Sequence, residues 1–220
     1  MEKRWRVGVI RVVTQHDPVL MKLHGELIER YFPMLETESR CIPDQPMGIH
    51  DPESKAVAIP KILETAKLFS GIDVLVVSCA DDPGITELRA EMDIPVVGAG
   101  SSVAAIARRC GGRAGILGIT DYVPDPYVEI LGEGLLNLGR PVGVSSTLDL
   151  MTPDGEASVF AHAVKLREAG AGSIALACTG LSTIGASARL ERHCGIPVID
   201  PVMAEGLFAF YECRRRHPIK

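Results

Sequence analysis

Two cysteines occupy equivalent places in two similar stretches of the chain. Cys79 lies in "VVSCADDPG" (Val76–Gly84), and Cys178 lies in "LACTGLSTIG" (Leu176–Gly185). Each stretch is a short apolar run followed by small polar residues and glycine, which is typical of a buried strand that leads into a helix. A thiol at such a junction lies near free backbone N–H groups and the positive end of a helix dipole, so we expect the thiolate to be favoured.

A thiolate and a thiol on opposite sides of a carbon acid could invert its stereocentre. The thiolate removes a proton from one face, and the thiol returns another proton to the opposite face. The N–H groups of Ala80 and Thr179 are candidates to stabilise the enolate-like charge that develops. The alternative interpretation is two buried structural cysteines in a duplicated fold. The polar and glycine residues that follow each cysteine favour a functional role.

The elements that must position these cysteines alternate between strand and helix. Strands are predicted over Trp5–Val13, Glu36–Ile42, Asp73–Ser78, Ile94–Gly98, Arg113–Thr120, Pro141–Ser146, Ser173–Ala177 and Ile196–Asp200. Helices are predicted over Asp17–Tyr31, Ser54–Gly71, Gly84–Met92, Ser101–Cys110, Pro124–Leu138, Glu156–Glu168, Thr183–Cys194 and Pro201–Arg214. Near-continuous apolar strands that alternate with helices indicate α/β architecture with parallel sheets.

An internal sequence repeat indicates two related halves. Cys79 is followed by Pro95 in "IPVVG", and Cys178 is followed by Pro197 in "IPVID". Each half then places one cysteine at the carboxyl end of a strand, where open α/β sheets bind ligands. We expect one domain to comprise residues 1–97 with 199–220 and the other residues 98–198, with the two thiols facing each other across the cleft.

Composition and charge exclude several classes of function. The chain carries 23 basic and 28 acidic residues, so no basic surface for nucleic acid or an anionic membrane is indicated. It has no membrane-length apolar run and no secretion signal, so we expect a cytoplasmic protein. The six cysteines form no C-x-x-C pair, and neither a metal site nor a phosphate-binding loop is predicted. We therefore expect no cofactor and a small-molecule substrate.

The motifs "SCADDPG", "IPVVGAGSS", "ACTGLSTIG" and "GIPVIDPV" together resemble the aspartate/glutamate/hydantoin racemase superfamily, and within it the hydantoin racemase group. The resemblance covers Trp5 to about Glu212. It implies two pseudosymmetric, flavodoxin-like α/β domains with the site between them. It also implies racemisation without a cofactor by two cysteines, here Cys79 and Cys178. The resemblance further implies that hydrogen-bonding groups surround the cysteines, namely those of Ser78, Ala80, Thr179 and Gly180.

Further substrate-binding candidates lie on neighbouring loops. Thr14 follows the first strand, Gln45 belongs to a loop that could cap a ligand, and Thr120 ends a strand. Ser101 stands where many family members carry an acid. The segment "GAGSSV" (Gly98–Val103) departs from the dinucleotide fingerprint at Val103, so it is interpreted as a helix start that could hold a small anion or carbonyl.

The leading hypothesis is a racemase of 5-substituted hydantoins, in which the acidic C–H lies next to a carbonyl. An aspartate or glutamate racemase would need a cationic cleft for the second carboxylate, and the strand-end loops offer few cations besides Arg11. A related isomerase of the same superfamily is a further alternative, and a non-catalytic binder that uses the same cleft is the alternative from another class. We expect a homo-oligomer. His24, His162 and His193 fall in predicted helices and are interpreted as surface or packing residues.

Overall fold

The computed structural model describes residues 4–217 and contains two four-stranded parallel sheets with the same strand order. The first sheet has the order β2-β1-β3-β4 and is built from β1 (Trp5–Arg11), β2 (Leu35–Cys41), β3 (Val74–Ser78) and β4 (Val96–Gly98). The second has the order β6-β5-β7-β8 and is built from β5 (Arg113–Gly118), β6 (Leu135–Leu136), β7 (Ala171–Ala177) and β8 (Val198–Ile199). The predicted α/β fold with two equivalent halves is confirmed.

Nine helices connect and cover these strands within residues 4–217. They are α1 (Pro18–Tyr31), α2 (Pro52–Ala66), α3 (Ile85–Glu91), α4 (Ala99–Cys110), α5 (Asp125–Leu131), α6 (Pro153–Glu168), α7 (Gly180–Thr183), α8 (Ala186–Cys194) and α9 (Pro201–Arg216). None of these helices combines the length and apolarity that a membrane crossing requires.

Local capping explains where the long helices begin. The side chain of Asp17 accepts a hydrogen bond from the Val19 N–H at 2.8 Å, which confirms the predicted start of α1. Helix α2 begins earlier than predicted. Asp51, rather than Ser54, is its N-cap, and Ser54 completes a capping box three residues later.

Two predicted elements in the second half are wrong. The predicted helix over Pro124–Leu138 ends at Leu131, because Gly132 adopts a φ of 53° and turns the backbone out of the helix. Leu135–Leu136 then forms β6. The predicted strand over Pro141–Ser146 is irregular, with Gly143 at a φ of 74°. The strand that edges the second sheet therefore lies earlier in the chain than the sequence pattern indicated.

Each half is covered in part by a helix that follows a strand of the other sheet. Helix α4 follows β4 of the first sheet but packs against β7 and α5, whereas α9 follows β8 of the second sheet and packs against β3, β4 and α1. Gly98 pairs with Val77 in the first sheet, and Ile199 pairs with Ala175 in the second, so each sheet extends one residue beyond the predicted domain boundary. The division into domains otherwise stays a prediction.

Strand order determines where the loops meet. In each sheet the chain first adds a strand on one side of the first central strand and then continues on its other side. The strand order therefore reverses between β1 and β3 in the first sheet and between β5 and β7 in the second. The loops that leave the carboxyl ends of such strands diverge and leave a crevice. Here the four central loops from both sheets open onto one shared cavity.

Candidate active site

A cavity of about 200 Å³ lies between the two halves. That volume is below the ~300–1,000 Å³ of sites for drug-sized ligands, which suits a small substrate. Residues that directly follow the four central strands line it, and they are Val12 and Val13, Cys79 to Asp81, Ile119 and Thr120, and Cys178 to Gly180. Both cysteines therefore lie on the wall of a single cavity, as the duplicated motif predicted.

The cavity wall includes most of the predicted binding residues. Ser78, Ala80, Thr120, Thr179 and Gly180 all line it. Thr179 also joins the two halves, since its hydroxyl donates to the carbonyl of Ser78 at 3.4 Å. This bond connects the residue after Cys178 to the residue before Cys79. Their predicted contacts with the substrate stay predictions.

Three predicted binding residues, Thr14, Gln45 and Ser101, are not among the residues that line the cavity. Thr14 donates its hydroxyl to the Ile42 carbonyl at 2.9 Å and accepts from the Gln45 N–H at 2.7 Å. The amide of Gln45 donates to the carbonyls of Gly48 and Ser54. These bonds hold the loop that brings Gly48 and Ile49 to the cavity, so the two side chains shape the loop, and their predicted contact with the substrate stays a prediction.

Ser101 lies at a helix start that a carboxylate of the chain already occupies. The N–H groups of Gly100 and Ser101 donate to the two carboxylate oxygens of Asp82 at 2.6 and 2.9 Å. Helix N-termini favour anions, and here Asp82 supplies the negative charge from within the chain. The predicted small-anion or carbonyl site at "GAGSSV" is therefore filled by the turn that follows Cys79.

The thiols of Cys79 and Cys178 are both harder to ionise than the sequence predicted. Burial raises the pKa of Cys178 to about 11, although the N–H groups of Gly180 and Leu181 hydrogen-bond its sulfur and act in the opposite direction. Burial also raises the pKa of Cys79 well above its usual range; the Asp81 N–H acts in the opposite direction, and the charges of Asp81 and Asp82 add to the rise. The predicted lowering is wrong because desolvation outweighs the helix-terminus effect.

The raised pKa values of Cys79 and Cys178 change the order in which we expect the cysteines to react with an alkylating reagent. Alkylation by iodoacetamide proceeds through the thiolate and requires access. We expect Cys110, which is exposed at the end of α4, to be labelled before Cys79 and Cys178 at neutral pH. Time-resolved mass spectrometry of the labelled peptides measures this order. Labelling of Cys178 ahead of Cys110 would contradict the raised pKa.

Sequence reasoning missed a polar cluster beside Cys79. The Asp81 carboxylate lines the cavity and is only 5% exposed. It accepts hydrogen bonds from Lys55 Nζ at 2.6 Å and from Tyr122 Oη at 2.5 Å. Burial, followed by the bond to Asp81, raises the pKa of Tyr122, which keeps the phenol a neutral donor. The cluster joins α2 of the first half to the β5–α5 loop of the second, and its sequence signal was the double acid in "CADDPG".

Sequence reasoning also missed a buried chain of hydrogen bonds behind Cys79. His24 is fully buried, so of its two predicted roles the surface role is wrong and the packing role is the one that fits; its two ring hydrogen bonds were not predicted. Its Nδ1 lies 2.7 Å from Ser78 Oγ, and its Nε2 lies 3.0 Å from Thr183 Oγ1. Ser78 Oγ lies 2.7 Å from Glu205 Oε1. Since the partners come from β3, α7 and α9, only the tertiary structure could bring them together.

The cavity carries little charge. Among its described lining residues the charged side chains are Arg11 and Asp81. Arg11 is 5% exposed, and one nitrogen of its guanidinium donates to the Leu20 carbonyl. The rest of the wall is largely apolar, with contributions from Val12, Val13, Leu20, Ile49, Ile119, Pro124, Leu148 and Met151. Residues 4–217 contain no group of three or more His, Cys, Asp or Glu side chains that could hold a metal ion.

Comparison with known proteins agrees with this architecture. Two equivalent parallel sheets with a cysteine-lined cavity between them define an α/β enzyme of the racemase type. The family model described as Asp/Glu/Hydantoin racemase matches residues 24–205, so the chain belongs to this family.

Several curated relatives are hydantoin racemases. The relative from Pseudomonas sp. (strain NS671) is 27% identical over 179 residues, which cover 74% of this chain and 68% of the relative. The relative from Rhizobium meliloti is 26% identical over 173 residues, which cover 73% of this chain and 69% of the relative.

Solved structures share the fold. An allantoin racemase from Klebsiella pneumoniae superposes with a TM-score of 0.80 at 24% identity and covers 94% of this chain and 86% of its own. A glutamate racemase from Bacillus anthracis superposes with a TM-score of 0.65 at 15% identity and covers 98% of this chain and 84% of its own. At these identities the similarity establishes the two-sheet architecture.

Proposed function

We propose that this chain is a cofactor-independent racemase that inverts a carbon-acid stereocentre, with Cys79 and Cys178 as the paired acid and base and a 5-substituted hydantoin as the substrate. The observation that carries the proposal is the position of the two cysteines. They follow the equivalent strands β3 and β7 and line one cavity. Two proton-transfer groups from opposite halves can address opposite faces of one bound carbon.

The proposed reaction conserves protons over each turnover. One cysteine, as thiolate, takes the proton from C5 and becomes a thiol, and the electron pair of the broken C–H bond moves onto the adjacent carbonyl oxygen. The other cysteine, as thiol, gives its proton to the opposite face of C5 and becomes a thiolate. The electron pair returns from the oxygen to form the new C–H bond, and the enzyme ends with the two protonation states exchanged. Exchange of the thiol proton with solvent, or a turnover in the reverse direction, restores the starting state. We assign the resting thiolate to Cys178, because the N–H groups of Gly180 and Leu181 favour its ionised form against the effect of burial.

The charges on the cavity wall favour a hydantoin over aspartate or glutamate. A dicarboxylate substrate needs a cation for its second carboxylate, and the buried guanidinium of Arg11 is bonded to a backbone carbonyl. A hydantoin with an apolar substituent instead matches a wall that includes Leu20, Ile49 and Met151. The similarity to hydantoin racemases supports the same choice.

A panel of single-enantiomer compounds in D₂O tests this proposal. It contains hydantoins with apolar and with carboxylate side chains, together with aspartate and glutamate. We expect the apolar hydantoins to lose optical rotation and to gain deuterium at C5, above an enzyme-free blank, and the dicarboxylic amino acids to remain unchanged. Racemisation of aspartate or glutamate would favour the alternative substrate class. Binding measured by calorimetry without any exchange would favour a non-catalytic binder.

A further inference from the structure

Four side chains form a hydrogen-bonded series that runs from the interior to the cavity wall. In order they are Glu205, Ser78, His24 and Thr183, and we call this series the buried relay. Glu205 and His24 are 0% exposed, whereas Thr183 lines the cavity. The proton transfers proposed for the two cysteines make no use of Glu205, His24 or Thr183.

The surroundings of Glu205 favour its neutral form. Its Oε2 is buried and has no hydrogen-bond partner among the described residues, and its Oε1 meets only the hydroxyl of Ser78. A buried ionised carboxylate without partners on both oxygens is strongly unfavourable. Burial, together with the nearby carboxylates of Asp200 and Asp82, raises the pKa of Glu205 well above its usual range, and the hydrogen bond with Ser78 and the charge of Arg11 oppose this only in part.

A neutral Glu205 determines the direction of every bond in the buried relay. An ionised Glu205 would accept the Ser78 hydroxyl hydrogen at Oε1. In the neutral form the carboxyl hydrogen finds an acceptor only from Oε1, since Oε2 has no partner among the described residues, so the carboxyl O–H donates to Ser78 Oγ. The single hydrogen of Ser78 is then free to donate to His24 Nδ1. The neutral imidazole carries its hydrogen on Nε2 and donates it to Thr183 Oγ1. Desolvation by burial lowers the pKa of His24 well below its usual range, which agrees with a neutral ring.

Thr183 therefore has one hydrogen that the buried relay does not use. Its oxygen accepts from His24, so its own O–H is free to donate to a group inside the cavity. A donor held by a series of aligned hydrogen bonds is strengthened by polarisation along the series. A fixed donor at the place where charge develops is one of the largest contributions to enzymatic rate.

We propose that Thr183 is a substrate-binding residue that donates its hydroxyl hydrogen to the carbonyl oxygen on which negative charge develops, and that His24, Ser78 and Glu205 are positioning residues that hold this hydroxyl as a donor. This inference rests on the proposed racemisation. It adds a group that stabilises the enolate to the two groups that move protons.

Two substitutions at Thr183 test the donor directly. Thr183→Val keeps the shape and removes the hydroxyl, and Thr183→Ser keeps the hydroxyl. We expect Thr183→Val to lower kcat by about 10²–10³-fold with a small change in KM, because the bond strengthens as charge develops. Thr183→Ser should recover most of this loss. Circular dichroism and thermal midpoints confirm that both variants are folded.

A double-mutant cycle tests whether His24 acts through Thr183. His24→Asn preserves an acceptor for Ser78 but is too short to reach Thr183. We expect it to lower kcat in the wild-type background and to cause no further loss in the Thr183→Val background. A merely structural His24 would lower kcat equally in both. Glu205→Gln retains a donor toward Ser78, so it should keep most of the kcat that Glu205→Leu loses.

The outcomes separate this inference from the proposed function. If Thr183→Val racemises at the wild-type rate while both cysteine variants are inactive, the buried relay has no catalytic role and the two-cysteine mechanism stands. A wild-type enzyme that racemises no compound of the panel overturns both. If His24→Asn does not fold, the Thr183 pair alone decides, and equal kcat for its valine and serine variants overturns the inference.

Discussion

Replacement of Cys79 or Cys178 by serine should lower racemisation by about 10²–10⁴-fold, which is the usual contribution of a positioned acid or base. Each inversion requires both proton transfers, and a serine hydroxyl is too weakly acidic to take part at neutral pH. The matched control is Cys110→Ser, because Cys110 is exposed and lies outside the cavity lining. The loss is measured by polarimetry with the single-enantiomer hydantoins that the wild-type protein racemises fastest.

The same two variants should differ in hydrogen exchange. The remaining cysteine in each variant can still remove the proton that it faces and return solvent deuterium to the same side. Cys79→Ser and Cys178→Ser should therefore exchange opposite enantiomers, as monitored by NMR loss of the C5–H signal in D₂O. Exchange of the same enantiomer by both would show that the two thiols do not serve opposite faces of C5. A near-wild-type racemisation rate in either variant would refute the two-cysteine mechanism.

Gly100→Ala should destabilise the fold by about 3 kcal/mol, at the upper end of the usual cost of overpacking. A Cβ at position 100 would lie 2.1 Å from the carbonyl oxygen of Ala80 and 3.1 Å from Asp82 Oδ1. The first neighbour is backbone, so no side-chain rotation relieves the contact. Because Ala80 follows Cys79 directly, the displaced turn should also impair racemisation. Urea denaturation measures the free energy of unfolding.

Gly134→Ala is the matched control for this substitution. A Cβ at position 134 would meet only the Gly112 carbonyl oxygen, at an ordinary 3.6 Å, so the free energy of unfolding should change by no more than about 0.5 kcal/mol. Equal unfolding free energies for the two variants would show that the turn after Cys79 can shift away from α4 without cost.

Local pattern in the sequence was sufficient for the architecture. Buried parallel strands form near-continuous apolar runs, as in "DVLVVS" before Cys79. Such a run can be recognised as a strand from its own residues, without reference to the rest of the chain. Asp17 with Pro18 marked a helix start for the same local reason. The repeated cysteine and "IPV" motifs further indicated two equivalent halves and the racemase family, which the family match confirmed.

Where the local signals were weak, the sequence misplaced elements. The pattern over residues 124–146 contained apolar residues at both helical and strand spacing, and the two-residue strand β6 is too short to produce a periodicity of its own. Its position is determined by pairing with β5 and by the glycine turn at Gly132.

Only the tertiary structure decided the electrostatics and the polar partners of the site. The strand-end position of Cys178 suggested a lowered pKa, but the pKa depends on how much water neighbouring segments exclude, and that raises it to about 11. Asp82, rather than a ligand, fills the start of α4. His24 reaches Ser78 and Thr183, which lie 54 and 159 positions away along the chain. Contacts at such separations leave no local pattern, because they depend on how both sheets pack around one cavity.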